Sequence, residues 1–63
     1  MYELFKSNEQ DESLLLLQER IPSLREAMGL LRECEEPHCQ IEQYYGGYHL
    51  IATKHHNKIT KYY

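Results

Sequence analysis

The sequence predicts an α+β fold in which one amphipathic helix packs on a small, mainly antiparallel sheet, in the order β-β-α-β-β-β. Three observations lead there. Between Ile21 and Glu36, Leu24, Ala27, Met28, Leu31 and Cys34 recur at helical spacing on one face, with Arg25, Glu26, Gly29, Arg32 and Glu33 opposite. Gly46-Gly47 separates two extended runs, as a two-residue hairpin turn does when both central residues take positive φ. His55 to Lys58, HHNK, then supplies a second reversal around turn-forming Asn57.

Taken in order, Tyr2 to Lys6 alternates strand-forming side chains and reads as a first strand. Ser7 to Ser13 is polar and acidic, a loop. Leu14 to Arg20, LLLLQER, can be read two ways. Ser7 with Gln10 would cap a helix, and leucine favours one. Four consecutive leucines, however, point in four directions around a helix, so a strand with both faces covered, or one face at a partner, fits better. The alternatives β-α-β-β and α-α-β-β therefore stand behind the preferred order. The helix starts at a capping box, Ser23 with Glu26, and stops before Pro37, which holds Glu36 out of helical geometry.

Gln40 to Tyr45 pairs with Tyr48 to Lys54 in the simplest register, Tyr45 opposite Tyr48. That places Ile41, Gln43, Tyr45, Tyr48, Leu50 and Ala52 on one face. Ile59, Lys61 and Tyr63 of a last strand, Ile59 to Tyr63, join them. The expected core is Leu4, Leu14, Leu16, Leu24, Ala27, Met28, Leu31, Ile41, Leu50 and Ala52.

Sixty-three residues make one domain, 1–63, and a chain of that length buries only about 60% of its unfolded surface. With no Trp, one Phe and six Tyr, most of its aromatic area carries hydroxyls that need a partner or water, which makes a homodimer through the tyrosine-rich sheet, or through an unpaired strand, an option. Net charge is −3, unevenly spread: residues 1–47 carry −6 and residues 48–63 carry +3. An acidic balance opposes a general nucleic-acid role. No apolar run is long enough to cross a membrane and the N-terminus has no signal-peptide form, so a cytoplasmic protein with two reduced cysteines is expected.

These residues admit four chemistries. Cys34, His38, Cys39 and His55 have zinc-ligand chemistry, but Cys-x4-Cys is wider than the usual knuckle, Cys34 falls on the core face, and His55 and His56 would point apart in one strand. Cys39 beside His38 or His49 is a nucleophile–base pair on paper, without a third group, an oxyanion hole or enough chain to build a pocket. No catalytic residue and no cofactor is expected. Tyr44, Tyr48, Lys54, Lys58 and Lys61 could stack bases and neutralise phosphates on a sheet surface, although tyrosines equally suit half-buried strands and lysines protect sheet edges.

The fourth chemistry is protein binding. Glu33, Glu35 and Glu36 end the helix, where the macrodipole disfavours each by about 0.3–1 kcal/mol, and Glu9, Asp11 and Glu12 form a second acidic group. Solubility explains much of that charge. With Tyr44 and Tyr62 these residues nevertheless make the leading expectation: a small acidic, non-enzymatic protein-binding module, an inhibitor or accessory protein. Its partner would be a larger protein, such as a nucleic-acid-processing enzyme approached through its basic cleft. In size and charge alone the chain is similar to accessory or inhibitor proteins of mobile elements and phages. A sheet-surface nucleic-acid binder and a small zinc domain are the second and third readings.

Overall fold

A computed structural model describes every residue except Glu9, Asp11 and Glu12. The order is β1 (Tyr2–Ser7), β2 (Leu14–Ile21), α1 (Leu24–Glu33), β3 (His38–Tyr44), β4 (Tyr48–His55) and β5 (Lys58–Lys61). All five strands join one sheet, β2-β1-β3-β4-β5, with every neighbour antiparallel. The predicted β-β-α-β-β-β order holds, and Leu14–Ile21 is a strand.

The helix forms where its spacing puts it. Ser23, in extended geometry, accepts at Oγ from the Glu26 backbone N–H at 3.1 Å and so fills an otherwise open first-turn donor. It ends at Glu33, short of Pro37: Cys34 is the C-cap, its N–H donating to the Leu31 carbonyl. Two ties hold that end. Lys54 of β4 donates to the carbonyls of Arg32 (2.9 Å) and Cys34 (2.6 Å), a cation on the negative pole of the helix. Cys34 and Cys39 are joined as a disulfide between the cap and β3, where reduced thiols were expected.

Leu4, Ile21, Ala27, Met28, Leu31, Cys39, Ile41 and Ala52 form the core between the helix and one sheet face. Leu24 is half-buried against it. Three expected core residues are not there: Leu14, Leu16 and Leu50 are exposed. Leu14 and Leu16 pair with Ser7 and Phe5, on the sheet face turned from the helix, in an edge strand whose partner lies on one side only.

Leu50 is displaced by one residue of register. Ile41 opposite Ala52 is the pairing expected from the sequence, and it continues to His38 opposite His55. Toward the turn the ladder slips: Ile51 bulges, and Glu42 faces Leu50, Gln43 faces His49 and Tyr44 faces Tyr48. The loop is consequently Tyr45-Gly46-Gly47, and both glycines take positive φ, 66° and 143°. The Ile51 carbonyl accepts from the Tyr62 N–H at 2.8 Å, giving the bulge a partner of its own. Tyr48 and Leu50 therefore leave the helix side, whereas Ile59 and Lys61, opposite Lys54 and Ala52, stay on it.

Candidate functional site

Among the described residues, one helix covers one face of the sheet and no helix or strand covers the other. Strand alternation places Glu3 and Phe5 of β1, Gln40, Glu42 and Tyr44 of β3, Tyr48 and Leu50 of β4, and Leu14 and Leu16 of β2 on this open face. Phe5 and Tyr48 meet edge to face with ring centroids 6.3 Å apart, and Tyr44 meets Tyr48 at 5.1 Å. Carboxylates border the rings. Gln40 Nε2 donates to Glu42 Oε2 at 2.6 Å, while Glu3 Oε1 is buried without a hydrogen-bond partner. The charge of Glu3, with desolvation and hydrogen bonding to the same carboxylate adding to it, pushes the Tyr48 phenol above its usual 10.0.

The open face runs out to β2. Leu14, Leu15, Leu16 and Leu17 are 46%, 57%, 42% and 42% exposed, an unusual amount of apolar surface for an edge strand. Beside them an open groove of about 520 Å³ is lined by Lys6, Ser7, Leu14, Leu15, Pro37 and His38 among others. β2 is irregular as well: its pairing with β1 shifts twice, and Arg20 sits at φ 57°, a conformation costing a non-glycine residue about 1–2 kcal/mol. Ile21, just beyond, is buried and anchors the strand's far end.

A second cluster lies at the opposite end of β3 and β4. His38 and His55 are register partners, and their ring centroids are 4.1 Å apart. His56 does not point away, as continued strand geometry would require. It opens the β4–β5 turn at φ 57°, the position a II′ turn normally gives to glycine, and its ring centroid is 5.1 Å from both other rings. Its backbone N–H donates to the Pro37 carbonyl, tying the turn to the start of β3.

The residues singled out from sequence divide accordingly. Of the zinc set, His38 and His55 come together, but Cys34 and Cys39 are bonded to each other on the helix side and offer no thiolate. The same bond removes Cys39 as a nucleophile beside His38 or His49. Of the nucleic-acid set, Tyr44 and Tyr48 adjoin, whereas Lys54 is occupied at the helix end, Lys61 shares the helix side with Ala52, and Lys58 lies opposite His55. Glu33 closes the helix, and Glu35 and Glu36 follow it; Glu36 meets Lys6 at 3.4 Å. Tyr62 is exposed beyond β5. Glu9, Asp11 and Glu12 lie outside the described residues.

From sequence, the leucine run reads as a strand with one face at a partner but not as a site, and His56 is set aside because it points away from His55 in a continuous strand. LLLLQER carried the signal for the edge, since a leucine run in a strand gives apolar side chains to both faces and only one face has a helix. Among the described residues, no helix is long and apolar enough to cross a membrane. Compared with protein families, curated proteins and solved structures, the chain has no match.

Proposed function

We propose that the chain is a small acidic, non-enzymatic protein-binding module that docks on a larger protein through β2, adding this strand to an exposed strand edge of the partner. The observation that carries the reading is the half-exposed Leu14–Leu17 run on an edge strand next to an uncovered sheet face. An open edge offers backbone donors and acceptors for strand addition, and alternate leucines offer side chains to both faces of the extended sheet. Charge gives the partner its chemistry. The net charge is −3, and Glu3 and Glu42 flank the rings of the open face. A basic surface beside an apolar strand edge complements both features and speeds encounter. Occupying such an edge blocks whatever else the partner binds there, which is how a module of this kind inhibits.

Carboxylates beside Tyr44 and Tyr48 and the dispersal of the lysines weigh against the nucleic-acid reading. The test compares the wild-type chain with Leu15→Lys and Leu17→Lys, both at exposed positions, after circular dichroism has checked their fold. A basic partner retained by the wild type, released by added salt and lost in the lysine variants is expected. Equal retention by the variants would overturn the proposal. So would a wild-type chain eluting as a dimer with its β2 amides protected from hydrogen exchange, because the edge would then belong to a second copy.

A further inference from the structure

The geometry points to a second site, whose His38 also lines the groove beside β2: we infer that His38, His55 and His56 form a three-imidazole site for a divalent transition metal, zinc or a similar nitrogen-preferring ion. One ring nitrogen from each lies within 4.8 Å of the other two. Tetrahedral zinc with Zn–N bonds of about 2.0–2.1 Å needs ligand nitrogens roughly 3.3 Å apart, so modest side-chain rotation closes the set. The three are suited to that movement in different ways. His38 is buried and fixes the floor of the site, while His55 and His56 are exposed and free to turn toward it.

Backbone structure, rather than chance side-chain placement, makes the cluster. Direct cross-strand pairing brings the β-carbons of His38 and His55 close. The left-handed φ of His56 swings a third imidazole onto the same side, where a regular strand would have sent it to the other. That conformation suits glycine far better than histidine, so the turn is built at odds with its backbone preference and delivers a ligand atom in return. Three imidazoles leave the fourth tetrahedral position to water or to a donor from another molecule. The disulfide excludes Cys34 and Cys39 from that role.

The proposal is tested on tag-free protein by titrating Zn²⁺ in a calorimeter and following thermal unfolding with and without the metal. One-to-one binding and a metal-dependent rise in Tm are expected for the wild type. His55→Ala should weaken binding more than ten-fold, since changing even a group that only supports a ligand costs 10–100-fold. His56→Gly is the informative variant: glycine suits φ 57°, so the metal-free protein should fold at least as well, yet the metal-dependent rise should vanish. His49→Ala, whose ring contacts the Tyr45 carbonyl instead, should bind like the wild type. Absence of binding heat in the wild type, or an undiminished Tm rise in His56→Gly, overturns the assignment.

Discussion

Replacing Leu31 with alanine tests the packing on which the rest of the molecule depends. Leu31 is fully buried between the helix and the sheet, and its surroundings include Ala27 and Ala52, also without exposed surface. Those alanines already bring the two layers close, so neighbouring groups have little room to move into the space vacated. Leucine-to-alanine substitutions in cores cost about 2–5 kcal/mol, more where the cavity cannot collapse, which suggests about 3–4 kcal/mol here. A 63-residue domain has roughly 3–9 kcal/mol in all. One substitution therefore removes a third of the stability or more. With a urea dependence of about 1 kcal/mol per molar, the midpoint should fall by roughly 3–4 M, or Tm by roughly 15–30 °C. Leu17→Ala is the internal control. It removes the same atoms from a 42% exposed edge position and should cost under about 1 kcal/mol. Equal losses in the two variants, measured by urea unfolding followed by circular dichroism, would refute the assignment of Leu31 to the core and Leu17 to the surface.

Lys54→Met should destabilise the domain by about 1–2 kcal/mol, because it strips the ammonium from the carbonyls of Arg32 and Cys34 while keeping the aliphatic stem; urea unfolding at low and high salt measures it. The raised Tyr48 phenol gives a pH test. A folded-state value above 10.0 contributes stability that is complete below pH 10 and is lost as pH rises through the raised value. Phenolate absorbance should show Tyr48 ionising above its usual 10.0, and Glu3→Gln should bring it back down.

The parts of the fold legible in the sequence were those fixed by neighbours in the chain. Ser23 and Glu26 mark a helix start wherever they occur with an apolar stripe behind them, and Gly46-Gly47 permits a backbone that few other pairs do. What could not be read was decided between strands. Ile41 opposite Ala52 followed from counting back from the turn, but the slip at Ile51 is a matter of how β3 and β4 pair, and no single strand contains that information. The same holds at the histidines. In an unbroken strand His55 and His56 diverge; whether they converge depends on one backbone angle in the turn, which a histidine does not advertise as a glycine would. The helix closed early for a comparable reason, since its end is held by Lys54 and Cys39, both from beyond Pro37.

The bulge at Ile51 also fixes the molecule's parity. Every side chain between that residue and the glycine loop owes its direction to one extra unit in the count, so an even spacing would have sunk Leu50 beneath the helix. Recognition and folding in this chain thus draw on a shared pool of apolar residues, apportioned between inside and outside by a one-residue offset in the backbone.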